Sequence, residues 1–228
     1  MTLVSGLKSR NTGVLGRAFG GNAIGDRGTD HVKIADLLLI LKNACLDFRY
    51  GGRFLAGSRK TRFAEAGAED TANSSYAELG ALFGDRIGER DVIVDVGCGK
   101  GRVFNWLLSR GRANRMIGIE LDPEIAEGCR RRLRTYTNIR IITGNILENV
   151  PDNGTIFYLF NPFHEMVMRS FAEELKRSYQ RNKREITVIY SNCLFCHVFE
   201  EDPRWIVTPL EAGLRLPAAI IRIRPESI

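Results

Sequence analysis

Apolar side chains return every three or four positions over residues 32–46, at Ile34, Leu37, Leu38, Leu41 and Cys45. This period predicts an amphipathic helix. Residues 47–73 keep no such period and are punctuated by Gly51, Gly52, Gly57 and Gly67, so they read as loop. Residues 76–83 predict a second helix, stopped near Gly84. From Asp91 the pattern changes. Residues 92–96 are a short β-branched run, as expected of a strand buried on both faces, and a glycine-rich turn follows. Residues 102–110 predict a helix, 116–120 a strand, and 123–134 a helix opened by Pro123 at a tolerated first-turn position. Further strands are predicted at 139–143, 155–160, 186–190, 204–208 and 218–223. A long helix at 165–180 carries Met166, Met168, Phe171, Leu175 and Tyr179, a stripe that reads as core packing.

Strands and helices alternate through short connections. That order predicts an α/β fold with a doubly wound, mostly parallel seven-stranded sheet, helices on both faces and right-handed crossovers. The last two strands have no helix between them and are expected to form an antiparallel hairpin at the C-terminal edge. Residues 1–30 read as a disordered leader, 31–84 as a helical N-terminal cap and 85–228 as the ligand-binding domain. The leader is rich in Gly, Arg and small polar residues, with no acid before Asp26, a composition also loosely like a transit peptide.

With 228 residues, 44% hydrophobic and 26% charged, the chain suits one soluble domain with an extension. No apolar run approaches the roughly 18 residues that span a bilayer, so no membrane partner is expected. The net charge of +6 favours an anionic partner. The basic residues cluster at 53–62, 130–134 and 176–184, and the last two clusters read as solvated helix faces. Five cysteines without regular spacing fit a reducing, cytoplasmic setting.

The candidate chemistry lies in Asp95-Val96-Gly97-Cys98-Gly99-Lys100-Gly101. In a doubly wound sheet, ligands bind beyond the carboxyl ends of the strands where strand order reverses, and this turn follows the first strand. Gly97, Gly99 and Gly101 can take conformations closed to other residues and let a ligand approach the backbone. The spacing is G-x-G-x-G, neither the dinucleotide G-x-G-x-x-G nor a P-loop. Asp95 would repel a pyrophosphate but can hold a cationic ligand. S-adenosylmethionine (SAM) carries an ammonium and a sulfonium and no phosphate, so the acid favours SAM over NAD. Glu120 ends the second strand and can accept both hydroxyls of a ribose, with Leu121 beside an adenine face.

The runs VDVGCGKGR, IGIELDP, ITGNILENVP and IFYLFNPF resemble the ordered motifs of class I SAM-dependent methyltransferases, over residues 76–190. The resemblance is nearest to small bacterial methyltransferases with a GCGKGR turn and an NPF segment, whose lead-in Leu46-Asp47-Phe48-Arg49-Tyr50-Gly51 resembles. It implies that Asp95, Gly97 and Gly99 line the methionine part of SAM. It also implies that Glu120 holds the ribose and that Asn145 lies near the adenine amino group, where many relatives carry Asp.

Asn161-Pro162-Phe163 ends the fourth strand and resembles the [DN]-P-P-[YFW] signature of amino-group methyltransferases, one proline short. In that chemistry the Asn oxygen and a backbone carbonyl accept hydrogen bonds from a target amine, and the aromatic ring stacks on a flat substrate. The alternative is a strand end capped by Asn-Pro with Phe163 in the core. His164 and Glu165 are candidate bases or helix-capping residues, and Tyr190 and Asn192 can face the same pocket. Cys193-Leu194-Phe195-Cys196-His197 spells a haem-attachment pattern. It follows the fifth strand, no export signal accompanies it, and zinc would need two more ligands, so these cysteines read as small apolar residues and no metal is expected. The expected activity is methyl transfer from SAM to a nitrogen on a small molecule, protein or nucleic acid. The competing reading is a non-catalytic SAM-binding or nucleic-acid-binding protein on the same fold.

Overall fold

The computed structural model describes residues 34–53, 55, 57, 62–63, 65, 74–210 and 214–223. The leader expected at 1–30 lies outside the described residues, as do 31–33 of the cap. The elements in chain order are α1 (Ile34–Gly51), α2 (Tyr76–Phe83), β1 (Val92–Val96), α3 (Arg102–Ser109), β2 (Arg115–Glu120), α4 (Pro123–Leu133), β3 (Ile139–Thr143), α5 (Ile146–Asn149), β4 (Ile156–Phe160), α6 (Glu165–Arg181), β5 (Thr187–Ser191), α7 (His197–Glu200), β6 (Trp205–Leu210) and β7 (Ala218–Ile223). They build one seven-stranded sheet in the order β3-β2-β1-β4-β5-β7-β6. The first five strands are parallel, and β7 runs antiparallel to both β5 and β6. The predicted doubly wound sheet and its C-terminal hairpin are therefore both present. Order reverses between β1 and β4, which puts the glycine turn at the switch point.

Each face of the sheet carries its own core. On one side Val94, Val96, Phe157 and Leu159 pack with Phe171 and Leu175 of α6. On the other, Ile93, Met116 and Tyr158 pack with Leu79, Leu82 and Phe83 of α2 and with Trp106 and Leu107 of α3. Period-two alternation places Asp95 on the Ile93 side, toward α2 and α3. Each large apolar side chain so buried stabilises the fold by about 1.5–3 kcal/mol.

The first helix departs from expectation. It does not stop at residue 46 but runs to Gly51, because Asp47 is fully buried against α3. Asp47 accepts from Arg102 Nη2 at 2.6 Å, Tyr76 Oη at 2.6 Å and the Leu55 amide at 3.1 Å. Gly51 ends the helix where a Cβ would lie 2.8 Å from Asn105 Nδ2, so glycine permits this close approach. Two four-residue helices, α5 and α7, also fall where connections were expected. Cys193 and Cys196 pack as half-buried residues against the core, as expected, but they are also joined by a disulfide with Cα atoms 5.6 Å apart, a pairing not anticipated.

Candidate functional site

The carboxyl ends of β1, β2 and β4 converge on one edge of the sheet. β1 runs directly into the turn, and the Gly97 and Cys98 amides both donate to Ile119 O of β2 at 2.9 and 3.0 Å. Gly97, Gly99 and Gly101 have φ of +71°, +52° and +75°, a left-handed backbone that side chains disfavour. Gly101 is also the N-cap of α3, and a Cβ there would sit 2.7 Å from Cys129 Sγ. The thiol of Cys98 is buried and hydrogen-bonded with that of Cys129, which with burial pushes it up. Cys98 therefore packs the turn from below.

Glu120 clamps the turn. Its carboxylate accepts from the Gly99 amide at 2.8 Å and from the Asp122 amide at 2.9 Å. Two oxygens have about four lone-pair positions, so acceptor capacity remains for a hydroxyl pair. Burial holds its carboxyl above the ordinary range, against the lowering effect of the Asp122 and Gly99 amides. Asp122 caps α4 by accepting from the Glu124 amide, and Leu121 between them is half-buried.

Asp95 is buried at the mouth of the turn, and its Oδ2 has no hydrogen-bond partner. Burial, and then the charge of Glu120, push its carboxyl up to about 8. It lines a small cleft with Ser74, Gly97, Arg102 and Tyr158. Ser74 and Tyr158 share a buried hydrogen bond of 2.7 Å across this cleft. An uncompensated buried acceptor facing a space with such walls is a site for a cation or a strong donor. The glycine turn, the free Asp95 oxygen and the residual capacity of Glu120 together fit the ammonium and ribose of SAM.

Leu55, Gly57 and Arg62, after α1, lie beside this edge. Lys100 Nζ donates to Leu55 O and Gly57 O at 3.3 and 3.0 Å, and Arg62 pairs with Asp122 at 3.2 Å. Ser74, Tyr158, Arg102 and Asp47 were not singled out from sequence as site residues. The legible signal was a tyrosine within the apolar run of β4.

Pro162, next to Asn161, lies against the turn. The closest heavy atom to a Cβ placed on Gly97 would be Pro162 Cβ, at 3.2 Å. Asn161 is buried with φ +39°, a conformation asparagine tolerates, and its Oδ1 accepts from Tyr190 Oη at 2.7 Å. Burial keeps the Tyr190 proton on, against the lowering effect of the Phe195 and Leu194 amides. Pro162 thus meets the glycine turn, and Asn161, its chain neighbour, is fixed by Tyr190. Phe163 does not join them as a stacking surface, since its ring is buried 5.8 Å from Phe171 in the core. Glu165 is held by Arg169 at 2.8 Å and by His197 at 3.2 Å, which lower its carboxyl and make it a poor base. His164 is exposed as the N-cap of α6. Asn145 caps α5, its Oδ1 accepting from the Leu147 amide at 3.0 Å, one residue past Gly144, whose amide bonds Glu120 O. Among the described residues, no group of three or more His, Cys, Asp or Glu side chains could hold a metal ion, and no helix is long and apolar enough to cross a membrane.

Residues 93–182 match the family model described as a methyltransferase domain. A ribosomal RNA small subunit methyltransferase A from Caldanaerobacter subterraneus is 34% identical over 62 residues, which is 27% of this chain and only 22% of that protein. Among solved structures, an RNA methyltransferase from Salinibacter ruber in complex with S-adenosyl-L-homocysteine superposes with a TM-score of 0.52 at 19% identity, over 69% of this chain and 96% of the other. An S-adenosyl-L-homocysteine-bound methyltransferase from Podospora anserina superposes with a TM-score of 0.52 at 14% identity, over 67% and 80% of the two chains.

Proposed function

We propose that this chain, a protein of the class I methyltransferase fold with a methyltransferase domain over residues 93–182, is an enzyme that transfers a methyl group from SAM to a nitrogen acceptor. The observation that carries the reading is Asp95, a buried carboxyl with one oxygen unpartnered at the glycine turn. SAM supplies an electrophilic methyl carried by a sulfonium. The protein's part is to place donor and acceptor in line, since orientation alone lowers the barrier to such a transfer by several kcal/mol. Asp95 receives the ammonium. Glu120 uses its remaining lone pairs for the ribose hydroxyls, and Leu121 and the Nδ2 side of Asn145 face the adenine. The left-handed Gly97 and Gly99 bring bare backbone against the methionine moiety.

Asn161 is the acceptor-side residue. Tyr190 Oη, donating to its Oδ1, holds the Asn161 amide in one orientation. The second lone pair of Oδ1 and the Asn161 carbonyl are then available to a target N–H, which aims the nitrogen lone pair at the cofactor. Pro162 sets the distance to Gly97. Phe163 acts as a core anchor for this strand end.

Calorimetric titration with SAM, with NAD as control, tests the reading. Micromolar SAM binding with none for NAD is the expected result, and absence of SAM binding overturns it. Asn161→Ala should keep SAM affinity within about threefold while lowering transfer by ~100-fold, the scale of lost positioning. Undiminished transfer would remove Asn161 from the acceptor site.

A further inference from the structure

A second, open groove lies between α1, α2 and the C-terminal end of α3. Lys42, Arg49 and Arg110 line it and are all exposed, and no carboxylate is among its lining residues. Among the described residues none of the three forms an ion pair. Arg49 instead lies over the ring of Tyr50, at 5.6 Å, and Arg110 over that of Trp106, at 5.5 Å. Asn43 adds a buried Oδ1 with no hydrogen-bond partner.

The other basic clusters differ. Lys176 bonds Glu173 and Asp202, Arg177 bonds Glu174, Arg181 bonds Asp152, and Arg130 bonds Glu127. Those cations are neutralised by the protein itself. The three in the groove instead line one shared space, exposed and without a carboxylate among them. The groove is also next to the cleft. Tyr76 lines the groove and donates to Asp47, Asp47 pairs with Arg102, and Arg102 lines the cleft.

We infer that this groove binds a single-stranded, phosphate-linked nucleotide chain, with phosphates on Lys42, Arg49 and Arg110 and a base edge donating to Asn43 Oδ1. Guanidinium forks match phosphate geometry, and guanidinium planes stacked on rings are flat cationic platforms on which bases stack. An acidic peptide would use the charge but does not carry a flat ring beside every charge to stack on the Arg49 and Arg110 guanidinium planes. That the bound strand also carries the methyl-accepting nitrogen rests on the proposed methyltransferase reading, whereas its binding to the groove does not.

The test is fluorescence anisotropy of a labelled twelve-nucleotide single-stranded oligoribonucleotide, and its deoxy counterpart, across salt concentrations, with wild-type protein and with Lys42→Gln/Arg49→Gln/Arg110→Gln. The two sugars identify which strand is preferred. Each lost phosphate contact reduces the slope of log K against log salt by about 0.7, so the triple variant should lose about 2 from the slope and at least ~10-fold in affinity at low salt. Arg177→Gln, which removes a paired cation, should leave binding unchanged. SAM titration of the same samples separates the two proposals, since the triple variant should bind SAM as the wild type does. Strand binding that is absent from the wild type or unchanged in the triple variant overturns the inference. So does equal competition by polyglutamate, which would make the groove a peptide site, or by tripolyphosphate, which would make it a small-anion site.

Discussion

Asp95 is a carboxyl held neutral near pH 7 by burial and by Glu120, yet it is the group assigned to a cationic ligand. The two facts are linked by protons. An ammonium beside Asp95 favours the carboxylate, so binding below about pH 8 must release the proton that the free protein carries. SAM affinity should therefore rise with pH, by up to about a decade per unit, and level off above the free-protein value. Calorimetry at pH 7 in buffers of different ionisation enthalpy should show about one proton released per SAM bound. Asp95→Asn should bind more weakly and release none. Identical heats in every buffer would show that Asp95 does not change charge on binding, and its role would have to be reassigned. At the same scale, the acids and glycines were legible because they depart from an apolar, β-branched background. The Tyr190–Asn161 bond was less so, since it joins residues 29 apart that only the parallel pairing of β4 and β5 brings together.

At the scale of elements, a buried ion pair joins α1 to α3 of the sheet domain. Asp47 is fully buried and Arg102 is nearly so, and together they satisfy each other, Tyr76 and the Leu55 amide. Asp47→Ala would leave a buried guanidinium without its anion, which destabilises by about 3–5 kcal/mol. Urea unfolding should show this loss, and adding Arg102→Leu should recover a substantial part of it. A loss below about 1 kcal/mol in the single variant would mean that α1 is not held by this pair. The same pair explains why residues 47–51 read as loop. An acid followed by two glycines a few residues on is a local helix-ending signal, and the arginine that reverses it is 55 positions away. The strands β1 to β5 had less difficulty, since a short, mostly apolar and β-branched run between turn signals has one favourable setting in an α/β sheet. Helices α5 and α7 have four residues each, about one turn, too few for a period to show.

Across the whole molecule the carboxyls fall into two sets with opposite pH dependence. On the outer surface Asp202, Asp152 and Glu201 lie low, because of Arg204, Arg181 and Arg169 respectively. A lowered group contributes stability above the unfolded value near 4, and that contribution disappears as pH falls through the folded value. These pairs are exposed and each contributes little. At the ligand edge Asp95 and Glu120 are raised, both first by burial. There the folded state holds protons that the unfolded chain has given up. Stability is complete below about pH 4 and declines as pH rises toward about 8. The ligand-free protein should therefore be most stable near pH 5 and melt at progressively lower temperature up to pH 8. Saturating SAM should flatten that decline by supplying the counter-charge, and Asp95→Asn should flatten it without ligand. Melting temperatures from pH 5 to 8.5 for the free, SAM-saturated and Asp95→Asn proteins make the comparison. A free-protein melting temperature that climbs steadily from pH 5 to 8 would mean that the surface pairs dominate, and that the ligand edge is not the strained, proton-holding part of the fold.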